Sequence, residues 1–196
     1  FVVDESERAS YQRRRALLGQ LDREWRMEDT HRGRIFSDMD QYYQSAYPML
    51  ENPQAGAVFQ IKPEDRERYG KSGVGDALVL ARNIVEADAG TRFIFVAHPG
   101  WDLHGKAYDK GAGQYKLCNE LDPALSGLLD DLEARKDSEG NPLIDKTFIV
   151  CMGEFGRTPG ELTLQGGRDH HRYAAVGLFA GAGVQGGRII GGTDEE

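Results

Sequence analysis

The chain of 196 residues is long enough for one domain with a sizeable core, and its net charge of −8 argues against a nucleic-acid footprint. No apolar run approaches the ~20 residues of a membrane-spanning helix, and no signal peptide is visible. The chain opens at Phe1 without an initiator Met and stops at Thr193-Asp194-Glu195-Glu196 straight after glycines, as expected of a fragment or processed portion. Cys118 and Cys151 lie in apolar stretches without CxxC spacing and are expected to be buried thiols.

Residues 1–50 are charged and helix-prone. Arg13-Arg14-Arg15 before Ala16-Leu17-Leu18 reads as a solvated helix face, because no long apolar stretch with a cleavage site follows. Phe36, Met39, Tyr42, Tyr43, Ala46 and Tyr47 recur at spacings of three and four, which predicts an amphipathic helix laid on a core, and Pro48 and Pro53 bracket a break. Residues 51–72 read as polar loop. A helix is predicted over 73–87, with Ala77, Leu80, Ala81, Ile84 and Val85 on one face. Residues 92–97 read as a buried strand. A second helix follows over 114–135, with Leu117, Leu121, Leu125, Leu128, Leu129 and Leu132 as its stripe. Residues 137–141 read as a turn and 147–152 as a second buried strand. Short strands are predicted over 174–180 and 187–190, within a glycine-dense region of close-packed loops around a site. Helix and strand in alternation predict an α/β fold: a right-handed βαβ crossover and a largely parallel sheet flanked by helices.

Three polar clusters follow these runs: Gly100-Trp101-Asp102-Leu103-His104, Gly153-Glu154-Phe155-Gly156-Arg157 and Gly166-Gly167-Arg168-Asp169-His170-His171. Sites in open α/β sheets form beyond the carboxyl ends of strands. Carboxylate oxygen and imidazole nitrogen suit a divalent metal, which makes Asp102, His104, Glu154, Asp169 and His170 candidate ligands. Neighbours in an extended chain diverge, so of Asp169, His170 and His171 one or two are ligands and another orients a ligand. Arg157 and Arg168 are candidates to grip an anionic ester, and Glu154 has the alternative of pairing with Arg157. His98 is assigned a structural role, or one behind Asp102; Trp101 reads as packing and His31 as solvated.

The clusters, in this order, resemble the domain-of-unknown-function family 1501, a sulfatase-like group. The matching stretches include Gly100-Trp101-Asp102-Leu103-His104, the Gly153-Glu154-Phe155-Gly156-Arg157-Thr158-Pro159 run and Gly166-Gly167-Arg168-Asp169-His170, over residues 65–196. The resemblance implies an alkaline-phosphatase-like α/β domain, incomplete at its N-terminus, with residues 1–64 as a helical segment packing on it. It implies one or two divalent ions, Zn²⁺ foremost, bound by Asp102 and His104, by Glu154, and by a late His170 with Asp169. It implies hydrolysis of a small-molecule phosphate or sulfate ester and a periplasmic or secreted location. Phe155 stands where the superfamily has a second histidine, and the superfamily's nucleophile is expected outside these residues. The runner-up expectation is a non-catalytic, export-associated metal-binding or scaffolding module; a third is a structural domain whose polar clusters pair with one another. Substrate and oligomeric state are not legible in the chain.

Overall fold

A computed structural model describes residues 5–28 and 33–192, which leaves His31 outside the described residues. The chain divides into two units, Phe1–Gln60 and Ile61–Glu196.

The first unit is helical: α1 (Glu5–Glu28), α2 (Gly33–Glu51) and α3 (Pro53–Val58). Its polar composition suits solvated helices, and Leu17, Leu18 and Leu21 of α1 stand exposed. The aromatic periodicity forms the predicted helix α2, yet Met39, Tyr42 and Tyr43 are exposed rather than buried. Tyr43 stacks on Tyr47, whose ring carries the Arg15 guanidinium 4.0 Å above it. Arg15 also pairs with Glu51. Pro48 lies inside α2 rather than at a break.

The second unit begins with α4 (Pro63–Tyr69), in the stretch read as loop. Pro63 supplies the fixed φ of a first helical turn, and Asp65 accepts from the Lys62 N–H across that turn. The Ser72 hydroxyl accepts from the Gly75 N–H and starts α5 (Gly73–Ala87), which has the predicted bounds. Its most buried positions are Val74, Gly75, Leu78, Val79, Ala81 and Arg82, a stripe displaced from the predicted one. Helix α6 (Gly113–Ala134) buries Leu117, Leu128 and Leu132 as expected. A 3-10 turn, Leu143–Lys146, closes the core below it. The core joins Tyr69, Val74, Leu78, Val79, Ala81, Ala124, Leu128, Leu132 and Leu143. Gly127 has no side chain where the Tyr69 ring lies against α6; a Cβ there would stand 3.1 Å from the ring.

A charged network crosses this core. Arg82 donates to Asp65 at 2.8 Å and to Asp131 at 2.6 Å, and the Tyr69 hydroxyl donates to Asp131 at 2.8 Å. Arg68 reaches the other oxygen of Asp131 at 2.6 Å. Each of the three buried charges Asp65, Arg82 and Asp131 therefore has a partner, as the interior requires.

Among the described residues there is no largely parallel sheet of the alkaline-phosphatase-like kind that was expected. About 49% of the chain is helical, and the strands form two small antiparallel pairs. Strand β1 (Ile149–Met152) pairs with β4 (Gly177–Ala180), and β2 (Gly156–Arg157) pairs with β3 (His170–His171). Residues 92–97 are extended, but no strand among the described residues pairs with them. Ile94 and Val96 pack on the core, while Phe93 and Phe95 are 83% and 79% exposed. An apolar run specifies extended backbone; it does not specify a partner or a direction. Residues 187–190 form no strand, and Ile189 and Ile190 are exposed. Both thiols are free; Cys118 is exposed and Cys151 half-buried, against the expectation of two buried thiols.

Candidate metal centre

The centre lies in the second unit, on loops that backbone hydrogen bonds sew together. Residues 103–107 run against 165–168: Arg168 N–H donates to Leu103 C=O, Lys106 N–H to Gln165 C=O and Ala107 N–H to Gly166 C=O, all at 2.9–3.0 Å. Gly105 and Gly166 form an antiparallel bridge between them. Gly166 holds a φ of +75°, and Gly167 packs so closely on the His104–Gly105 peptide that a Cβ would overlap it. Thr163 fastens the turn, donating to His104 C=O at 2.8 Å and accepting from Gly167 N–H at 3.0 Å. The β2–β3 register sets Arg157 opposite His170. The first loop is tied to α6 through His98, which bonds Glu120 at 3.2 Å and accepts from the Trp101 indole N–H at 3.2 Å. His98 thus links Glu120 of α6 to Trp101, the residue before Asp102.

These constraints bring three donor atoms together. Asp102 Oδ1 lies 3.0 Å from His104 Nε2 and 2.8 Å from His170 Nε2, and the two imidazole nitrogens are 3.1 Å apart. Zinc ligated at ~2.0–2.2 Å in a tetrahedron separates its ligand atoms by roughly 3.3–3.6 Å, so this triangle, with edges of 2.8–3.1 Å, is a contracted tetrahedral face that an ion would open by about half an ångström. Among the described residues, these three side chains are the group that could hold an ion. His104 Nδ1 lies 2.9 Å from Asp169 Oδ1. An N–H given to that carboxylate leaves a lone pair on Nε2, aimed into the triangle, which is the usual device for orienting a ligating histidine.

Asp169 therefore orients His104 and His170 joins the triangle, while His171 turns away to meet the Tyr173 ring edge-on. The alternation of β3 explains the split. Glu154 is exposed on the bend after β1 and stands outside the triangle. Phe155 lies with its ring centroid 4.1 Å from that of His170, as a wall behind the imidazole.

The two arginines hold the loops. Arg157 Nη2 donates to Asp102 Oδ1 at 2.6 Å and to Trp101 C=O at 3.2 Å, and Nη1 donates to Arg168 C=O at 3.3 Å. The partner of Arg157 is Asp102 and not Glu154. Arg168 donates to the Tyr108 hydroxyl at 2.8 Å, to Thr158 C=O at 2.7 Å and to Gly160 C=O at 3.2 Å. The His170 hydrogen bond, and then that of Arg157, hold the Asp102 carboxyl well below the usual range, at about 2. Asp102 is an anion at any physiological pH.

A family model covers nearly the whole chain. The chain belongs to the family described as protein of unknown function (DUF1501), whose model matches residues 3–196. No curated protein and no solved structure matches it. No helix among the described residues is long and apolar enough to cross a membrane.

Sequence reasoning did not find the supporting residues of this DUF1501 chain: Thr163, Tyr108 and the close approach at Gly167. The paired glycines at 166 and 167, directly before the polar cluster, were the available signal for the last.

Proposed function

We propose that this chain binds a divalent cation, Zn²⁺ foremost, on Asp102, His104 and His170, and that it serves as a metal-dependent hydrolase of phosphate or sulfate esters. One observation carries the reading: two imidazole nitrogens and a carboxylate oxygen, from the 102–104 loop and from β3, meet within 3.1 Å of one another. When bound there, the ion supplies Lewis-acid polarisation of a phosphoryl or sulfuryl oxygen. Asp169 holds the His104 ring in register, and Phe155 backs His170. Arg157, at the rim, offsets charge on the ester. The sulfatase-like assignment rests on the order of the polar motifs alone, since the sheet is not that of the superfamily. The periplasmic location rests on the same resemblance.

The test measures turnover of aryl phosphate and aryl sulfate by the intact, metal-loaded protein, which includes the expected nucleophile, before and after chelation, beside His104→Ala. The reading predicts turnover that chelation abolishes and His104→Ala lowers at least ~100-fold. Loaded protein that turns over neither ester contradicts hydrolysis.

The exposure of the site favours a second reading, a binding or scaffolding module. The Asp102 and Asp169 side chains are each 65% exposed, so little of the centre is shielded from water. This reading predicts a bound ion and no turnover of either ester.

A further inference from the structure

Asp102 Oδ1 is oversubscribed. Both triangle histidines contact it, and Arg157 Nη2 approaches that same atom more closely than either, at 2.6 Å. A carboxylate oxygen offers about two lone pairs, so an ion on Oδ1 competes directly with the guanidinium. The two are also like charges beside one acceptor, and at this surface their repulsion is damped but not removed. The remaining Arg157 contacts are longer, at 3.2 and 3.3 Å, and go to main-chain carbonyls of the two site loops. Those contacts, with the β2–β3 register, keep the head group at the rim when the Asp102 contact is given up.

We propose that Arg157 is the internal counter-cation of this centre: it holds Asp102 Oδ1 until a divalent cation takes that oxygen, and the released Nη2 then meets an oxyanion carried on the ion. The inference rests on the metal-binding reading and adds an order to it, cation first and oxyanion second. Because coupling between two ligands is reciprocal, an oxyanion tightens cation binding by the same factor as the cation tightens oxyanion binding. Arg157 has two opposed effects: it weakens the bare cation and favours the cation–oxyanion pair.

The experiment titrates the intact protein with Zn²⁺ by calorimetry, with and without millimolar sulfate, for the wild type, Arg157→Gln and Arg157→Lys. In the wild type, sulfate tightens Zn²⁺ binding by about fivefold or more, the lower end of typical couplings. Arg157→Gln removes the competing charge, so it binds Zn²⁺ more tightly than the wild type in the absence of sulfate, and the sulfate effect falls to about onefold. Arg157→Lys keeps the charge but loses the guanidinium fork, so it binds bare Zn²⁺ like the wild type and shows a reduced sulfate effect. If Arg157→Gln does not fold, as judged by circular dichroism, the Lys variant carries the test alone. Weaker Zn²⁺ binding by a folded Arg157→Gln, or an undiminished sulfate effect in either variant, overturns the proposal. A wild type that binds no Zn²⁺ overturns the metal-binding reading itself.

Discussion

At the residue scale, the centre depends on two features that behave oppositely on substitution. Gly167 is defined by space: a Cβ would overlap the His104–Gly105 backbone, which cannot move without shifting the triangle. Gly167→Ala is expected to cost about 1–3 kcal/mol in thermal unfolding and to weaken Zn²⁺ binding as well. Asp102 is defined by charge. Its carboxyl sits at about 2 against an ordinary value near 3.9, chiefly through His170. A carboxyl depressed in the folded state contributes order that is complete above the ordinary value and is lost as pH falls through about 2. Carboxyl-detected NMR titration is expected to place Asp102 there, with His170→Ala raising it further than Arg157→Gln. An Asp102 that titrates like an exposed aspartate would remove the hydrogen bonds from the account. That Asp102, His104, Asp169 and His170 lie together was legible in the sequence, because carboxylates and imidazoles recur in the short polar clusters that the loops bring together. The main-chain contacts of Arg157 and Arg168 were not, because a guanidinium fork serves main-chain carbonyls as readily as anions.

At the element scale, α5 and α6 were legible because their apolar periodicity agrees with a core face that their own neighbours supply. The stripe on α5 was misplaced because its buried side includes Arg82, a residue no hydropathy pattern assigns to a core. Arg82 is held there by ion pairs to Asp65 and Asp131, with its Nε and Nη2 donating to Asn83 Oδ1. Arg82→Met removes one partner from two buried carboxylates and is expected to cost about 3–5 kcal/mol by chemical denaturation. Hydrogen bonding from Arg82 holds the Asp65 carboxyl down; burial pushes Asp131 up, and its bonds to Arg82, Tyr69 and Arg68 outweigh that and leave it lowered. Their contribution to stability is full above the ordinary carboxylate range and is lost as pH falls below it, so acid unfolding of the second unit should be delayed to below about pH 4. The extended segment 92–97 was half legible. Its backbone is as expected, but only Ile94 and Val96 touch the core. Phe95→Ser is therefore expected to change stability by no more than about 0.5 kcal/mol, against about 2–5 kcal/mol for Leu132→Ala in the same melts. Comparable losses at the two positions would contradict the exposure of Phe95.

At the scale of the whole molecule, the chain resolves into Phe1–Gln60 and Ile61–Glu196, where the family resemblance implied a division between residues 64 and 65. The fold class was not legible. Alternating helical and apolar runs describe a parallel sheet only when strands find each other in that order, and here β1 pairs with β4, far along the chain. The triangle survived this change of fold because its loops are held by one another and by α6 rather than by a sheet edge. Among the described residues, every member of the buried hydrophobic core and every side chain of the triangle lies within 61–196. The central claim is that Asp102, His104 and His170 form one cation site. X-ray absorption at the zinc edge, on the intact protein loaded with one equivalent of Zn²⁺, tests it most directly. The account predicts a nitrogen and oxygen shell at ~2.0–2.2 Å containing two imidazoles, with one imidazole lost in His104→Ala and in His170→Ala. A shell without histidine, or one unchanged in both variants, would contradict it.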